Sequence, residues 1–584
     1  MDQNSQQPAH GMAAEPWTLM RTMGCAALLV ALIEGFMALA GNGVLHGILI
    51  DPDCYMHLQR AFRLMTGGWQ TSGFDPRINA PFGYAIHWTS LFDGLLVAGA
   101  WPLTLLGLGA HDALYVWGAI VSPVLLILAV MVLAAGVRPW VTGPSFLWLT
   151  VLFFTQPQLS RAFYPGRPDH HSLILALLMV QHAWFYAAMD GRLGRGGKAL
   201  AAAFVAGCVA GIQLCTTVEA LLIILLMSLA LGLAWCLFAQ DVRKLLAAYW
   251  AGCLVTTLAW LALTRAPIFL EPAYDRVSIV HAVVLGAGLA AITLAGVLAR
   301  HMSRLSALGL GGVFALAAVA VLYPDFFRGP WPHLDPVIVT WHREIGELQP
   351  LLPDSWRHLM VFFNQFAAAL IALPFVVHRL RHGDMGLRLA MLMAVLGFCL
   401  FGTLSLIQMR WSGELQAVML LPWTLTTQRI MKSNFALDFG GRRVPVRSFI
   451  LALALLLQIG PVASMPVTAQ ASASANPQCD WTAAARALAG IRPRQGTVMT
   501  EIWSGPEILW RTGFSVVGAP YEISPALADT RSFESGDASE ARRILDRRHI
   551  AYVLSCGPQP HAEAIQLDLL PFAVPGFYFY RNRS

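Results

Sequence analysis

The chain has 584 residues, 57% of them hydrophobic and 12% charged, about half the charged share of an ordinary soluble domain. A water-soluble fold of this length could not keep such a surface wet, so lipid must be the solvent for most of it. The net charge of +6 is gathered in short basic clusters between apolar runs, which fits loops beside a membrane and not a nucleic-acid surface, and nine cysteines without a CxxC pair exclude a zinc–thiolate centre.

Residues 1–17 are polar, no cleavable signal peptide stands out, and the first apolar run is long enough to stay as an anchor. Apolar runs predict spans at Met23–Leu39, Leu91–Gly109, Ala113–Ala135, His170–Asp190, Ala199–Leu214 and Glu219–Phe238. They continue at Leu245–Thr264, His281–Ala299, Leu305–Tyr323, Leu359–Val377, Leu389–Ile407, Gly413–Thr427 and Leu451–Val467, about 13 in all. Basic clusters recur every second loop: Arg192, Arg195 and Lys198; Arg243 and Lys244; Arg300 and Arg304; Arg379 and Arg381; then Arg429, Lys432, Arg442, Arg443 and Arg447. The positive-inside rule makes that side cytoplasmic and parity keeps Ser145–Thr155 from crossing. The opposite, periplasmic side of an inner membrane then receives loops 46–88, 265–280 and 324–357, and everything after residue 467.

Residues 1–467 therefore read as one transmembrane domain, 468–477 as an Ala/Ser/Pro linker, and 478–584 as a small periplasmic α/β domain. Within the tail, Thr497–Glu501, Phe514–Gly518 and Ile550–Ser555 alternate like strands, while Gly505–Thr512 and Ala538–Arg548 read as helices. Cys479 and Cys556 flank this domain, and an oxidising compartment would allow them to pair.

Three outward-facing segments carry chemistry. The first, Asp51-Pro-Asp53-Cys-Tyr-Met-His57-Leu-Gln-Arg60, follows the first span; its carboxylates and imidazole suit a hard or borderline divalent cation, although Asp51 and Asp53 would also cap a helix. The second, Arg161 to His171, ends in Asp169-His170-His171, where Asp169 reads either as a cap or as a ligand with two histidines behind it. The third is the 34-residue loop Pro324–Arg357 with Glu344-Ile-Gly-Glu347-Leu-Gln-Pro350. Loops this long in a compact protein are functional or disordered.

Together these segments resemble the catalytic subunit of oligosaccharyltransferase, in its archaeal and bacterial single-subunit type, and more broadly the GT-C membrane glycosyltransferases that use polyprenyl- or dolichyl-linked donors. Asp53-Cys-Tyr-Met-His57 looks like the family's first acidic motif, with Gln59 where the arginine is expected and Arg60 one place on. Asp169-His170-His171 looks like the Asp-x-His form of the second, about 116 residues downstream of the first. Glu344-Ile-Gly-Glu347-Leu-Gln-Pro resembles the external-loop Thr/Ser-x-x-Glu motif, with Glu344 in place of the hydroxyl residue. The family's Trp-Trp-Asp-Tyr-Gly motif is missing; the nearest text is Glu501-Ile-Trp503-Ser-Gly505-Pro, which lacks the Asp.

The resemblance implies a glycosyltransferase working at the periplasmic face, with a polyprenyl-linked sugar donor and a glycan, lipid or protein acceptor. It implies that Asp53, Asp169, His171 and Glu347 hold one divalent cation, Mg²⁺ or Mn²⁺, with Asp53 and Glu347 catalytic. Arg410, in Gln408-Met-Arg410-Trp411, falls where the family places an arginine on the donor phosphate. Asp51, His57, Arg60, His170, Asp275 and His281 form the expected rim. Two other classes stay open: a flippase or transporter of lipid-linked sugars, which would carry ionisable residues near the midplane and internal repeats, and a metal-independent polysaccharide polymerase or ligase.

Overall fold

The structure, a computed structural model, describes residues 18–40, 43–68, 73–141, 145–189, 196–238, 242–264, 270–330, 334–432, 436–439, 442–445, 479–492 and 495–583. Among these residues ten helices are long and apolar enough to cross a membrane, from Leu19–Leu39 to Met385–Ile407. Each coincides with one of the expected runs, and the three remaining runs account for the difference from 13. Leu91–Leu105 is a helix of only 15 residues, Ser412–Met431 is buried along residues 412–427, and Leu451–Val467 lies outside the described residues, as does the 468–477 linker. A helix surrounded by other helices can still cross a bilayer, so burial of Ser412–Met431 leaves the expected span Gly413–Thr427 standing as an expectation. Ser145–Phe154 is a ten-residue helix followed by the short helix Pro157–Arg161, too short to cross.

Small residues let the helices approach. A side chain at Gly207 would come 1.9 Å from the Tyr249 carbonyl oxygen, and one at Gly252 would come 2.2 Å from that of Phe204, so Gly197–Thr216 and Arg243–Thr264 pack backbone to backbone. In contrast, Arg304–Leu322 leaves most of its apolar surface outward, as a lipid-facing helix must.

The tail is a five-stranded mixed sheet in the order Ser515–Val516, Thr497–Met499, Ile550–Cys556, Phe577–Asn582, Leu567–Leu570. The first three strands run parallel and the last two antiparallel to their neighbours. Cys479 and Cys556 are disulfide-bonded, with Cα atoms 6.0 Å apart.

This domain is docked on the membrane half. His111 stacks on Trp510 at 3.8 Å, and Tyr55 donates to Glu507 Oε1 at 3.1 Å. Arg77 reaches the carbonyls of Leu509 and Thr512, each at 3.2 Å, and Arg548 reaches Asn79 Oδ1 at 2.9 Å. Polar anchors of this kind at both ends of the 46–88 loop hold that loop, and hence the first acidic segment, under the sheet.

Candidate functional site

The first acidic segment forms the helix Pro52–Gly67, which starts where Pro52 presets the backbone and Asp51 caps it, Oδ1 accepting from Cys54 N at 3.2 Å. Asp51 is thus the cap, and Arg167 Nε binds its other oxygen at 3.1 Å. Asp53, the second residue of the helix, carries no such duty. Asp169 precedes the helix His170–Met189 and is fully buried, held by Arg167 Nη2 at 3.2 Å and His170 Nδ1 at 2.9 Å. Arg167 therefore ties the first two segments together.

Glu347 lies on a single 3₁₀ turn, Gly346–Leu348, in the long external loop. Gln349 fastens that turn to the preceding helix end: its Nε2 donates to the carbonyls of His342 (3.2 Å), Arg343 (2.6 Å) and Ile345 (3.2 Å). Its own carbonyl accepts from Met409 N at 2.9 Å, stitching the loop to the corner that carries Arg410. From the other side the tail domain grips the loop. Glu344 pairs with Arg531 at 2.6 Å, Trp341 packs on Trp503 with ring centroids 5.7 Å apart, and Glu522 lies between His342 (3.7 Å) and His87 (3.4 Å).

These elements enclose one cavity of about 170 Å³. Asp53, His170, His171, Glu219, Glu347 and Arg410 line its membrane side, and Trp503, Pro520 and Glu522 its tail side. Asp275 and Arg276 border it, as do His87 and Trp88. Neither the Asp53 nor the Glu347 carboxylate has a hydrogen-bond or ion-pair partner among the described residues. Burial, then the charges of Asp51, Asp169 and Glu347, push Asp53 well above the usual carboxylate range. Burial likewise raises Glu347, with Asp169 and Asp51 adding to it against Arg167. Burial alone would raise Asp169 too, but His171, His170 and Arg167 outweigh it and hold Asp169 well below that range. Arg410 pairs with Glu219 and lies over the Trp411 ring at 5.0 Å.

Several expected rim residues are elsewhere. His281 is buried as the third residue of the helix Ile279–Leu298, where its Nδ1 accepts from Ser278 N at 3.2 Å and completes a capping box; it does not border the cavity. His57 and Arg60 stand behind the cavity wall, 1% and 2% exposed, both paired with Asp93. Asp93 went unnoticed in the sequence because it opens an apolar run, yet an acid in the first turn of such a helix was the available signal. Through it His57 belongs to the acidic centre. Among the described residues, the ligand atoms of His57, Asp169 and His170 lie within 4.8 Å of one another, a tighter group than the expected Asp53, Asp169, His171 and Glu347. Glu522 and Trp503 were also missed as wall residues, since their place depends on how the tail docks.

The site fits a divalent cation: two carboxylates without partners among the described residues, whose ionisation is disfavoured by burial and mutual repulsion, share a cavity with imidazoles. A cation would relieve that repulsion.

No protein-family model matches the sequence, and no curated protein does. Solved structures do. The chain resembles the archaeal oligosaccharyltransferase AglB from Archaeoglobus fulgidus in complex with an inhibitory peptide and a dolichol-phosphate. The TM-score is 0.68 at 14% identity, over 97% of this chain and 74% of that one. The same enzyme tethered to an acceptor peptide with an NVT sequon gives 0.65 at 14% identity, over 97% and 74%. Its complex with Zn and sulfate gives 0.61 at 15%, over 96% and 73%. The chain therefore shares the fold of these archaeal oligosaccharyltransferase structures.

Proposed function

We propose that this protein is a membrane glycosyltransferase that moves a sugar or glycan from a polyprenyl-(pyro)phosphate donor to an acceptor at the periplasmic face of the inner membrane. One observation carries the reading: Asp53 and Glu347 are partnerless carboxylates with raised pKa, brought together with Asp169, His171 and Arg410 at the ends of apolar helices. Perturbed groups of this kind in a cleft mark functional sites. Asp53, Asp169, His171 and Glu347 would hold Mg²⁺ or Mn²⁺, which when bound supplies Lewis-acid stabilisation of the departing phosphate. Arg410 would exchange Glu219 for a phosphate oxygen, a match for a planar guanidinium. Glu347, on the loop facing Trp503 and Glu522, would orient the acceptor and take its hydrogen bond as the anomeric carbon is attacked.

One neighbouring archaeal structure holds a dolichol-phosphate with an inhibitory peptide and another a tethered acceptor peptide, which supports a lipid-linked donor. The acceptor is a separate matter, because the aligned tail segment keeps Trp503 but not the expected Asp. Mass spectrometry of periplasmic glycans, glycolipids and glycoproteins from a deletion strain tests the proposal: one glycoconjugate class should disappear and return with the intact gene but not with Asp53→Ala. Loss of that class with lipid-linked sugar stranded on the cytoplasmic side would point to a flippase instead, and an unchanged inventory would overturn the proposal. Transfer undiminished in EDTA would favour a metal-independent polymerase or ligase.

A further inference from the structure

Behind the cavity runs a chain of hydrogen bonds whose proton positions are fixed by its far end. Asp93, wholly buried, is bound through Oδ2 by Arg60 Nη2 at 2.7 Å and through Oδ1 by His57 Nδ1 at 2.9 Å. A carboxylate so paired only accepts, so His57 carries its proton on Nδ1. His57 Nε2 lies 3.0 Å from His170 Nδ1, which is also 2.9 Å from Asp169 Oδ1. The Asp169 carboxylate accepts, so His170 Nδ1 is the N–H between them and His57 Nε2 accepts from it as well. With Nδ1 so engaged, Nε2 is the ring nitrogen of His170 left for a cation, and it has no hydrogen-bond partner among the described residues. Ring contacts hold the planes as well: Trp88 stacks on His57 at 4.9 Å and His171 on His170 at 4.6 Å. His170 borders the cavity.

We infer that Asp93 and His57 are positioning residues that lock His170 in the tautomer whose Nε2 lone pair ligates the cation of the cavity, making His170 a nitrogen donor beside the acidic ligands. The inference rests on the cation reading above. It moves the cation class away from Mg²⁺, which prefers oxygen, toward first-row ions that accept imidazole, with Mn²⁺ serving as the spectroscopic probe. Partners behind a ligating histidine fix its tautomer, and their loss typically weakens metal binding about 10- to 100-fold.

The test uses the full chain in lipid nanodiscs, stripped of metal and titrated with Mn²⁺. Electron spin-echo spectroscopy counts directly bound imidazole nitrogens, and the free-ion signal gives affinity. His170→Ala should lose one nitrogen and bind Mn²⁺ more weakly. His57→Leu should weaken binding about 10- to 100-fold, whereas His57→Gln, whose amide oxygen can still accept from His170 Nδ1, should retain most of it. His170 lines a cavity, so its variant keeps the inference testable if His57→Leu fails to fold. If the wild type binds Mn²⁺, Asp169→Ala abolishes binding and His170→Ala changes neither nitrogen count nor affinity, the inference falls while the cation reading stands. If His57→Gln is as weak as His57→Leu, the tautomer lock is overturned. No Mn²⁺ binding by the wild type overturns the inference and the cation reading together.

Discussion

Asp53→Asn removes one charge from the cavity while keeping the side chain's shape, and its consequences for activity and stability have opposite signs. Asp53 has no hydrogen-bond or ion-pair partner among the described residues, so the change breaks no bond seen there; it removes what the carboxylate does for a bound cation. Loss of one strong electrostatic stabiliser costs about 10²–10³ in turnover, or about 3–4 kcal/mol. Glu347→Gln should cost a similar factor. If the two acted independently, the double variant would fall by about 10⁴ or more; if both act through one cation, it should lie close to either single variant. That gap of at least about two decades is the quantity to measure, by single-turnover transfer from a polyprenyl-linked donor with and without EDTA. Meanwhile Asp51, Asp169 and Glu347 crowd Asp53, so neutralising it should raise the melting temperature of chelated protein. Full turnover of Asp53→Asn in excess EDTA would refute the reasoning, and so would a double variant that is multiplicatively worse.

The same carboxylates predict a pH dependence. Their folded pKa values are raised, so the stability they allow is fully present below the unfolded carboxylate range of about 4 and lost as pH rises through the folded values. Added Mn²⁺ should flatten the decline, and a melting temperature flat with pH in EDTA would contradict it. Gln349→Leu removes three hydrogen bonds from the Glu347 turn and should lower turnover on the order of 10- to 100-fold through misplacement alone, with protein yield unchanged; wild-type turnover would show that the turn holds without them. Reporter fusions after Lys198 and Gln470 should give opposite sides of the membrane, and agreement between them would overturn the orientation. Reducing the Cys479–Cys556 bond, which closes a sequence separation of 77 residues, should cost the tail domain about 4 kcal/mol on the chain-entropy model, read as a lower unfolding midpoint. An unchanged midpoint would show that the loop adds no constraint.

Much of this architecture was legible because lipid imposes a simple rule on sequence, and ten long apolar runs obeyed it. The rule does not say which helices face protein instead of lipid: the burial of Ser412–Met431 along residues 412–427 is not revealed by periodicity. In the tail, parallel strands flanked by turns were visible, but Leu567–Leu570 and Phe577–Asn582 were not assigned, although Phe577-Tyr-Phe-Tyr580 is rich in strand-forming aromatics. The acidic residues Asp53, Asp169 and Glu347 stood out by type and place. What could not be read was contact between distant segments. His57 meets His170 across 113 residues, and Tyr55 meets Glu507 across 452. Such pairs depend on helix packing and domain docking, which local pattern does not encode.

The cavity's two walls have different origins, and this bears on how the site would work. Asp53, Asp169 and the histidines stand on helices whose ends are pinned by buried ion pairs, Arg167 with Asp51 and Asp169, Arg60 with Asp93. Such elements hold a reacting geometry with little reorganisation. Glu347, in contrast, stands on a loop held by a side-chain amide, a tryptophan pair and the Glu344–Arg531 bridge, whose Glu344 is largely exposed. Exposed pairs contribute at most about 1 kcal/mol each, so this wall is the part of the site that opens at least cost. The cavity has no other contributor on its tail side than Trp503, Pro520 and Glu522 among the described residues. A substrate entering from the membrane would therefore meet fixed charges, while one entering from the aqueous side would meet the movable wall.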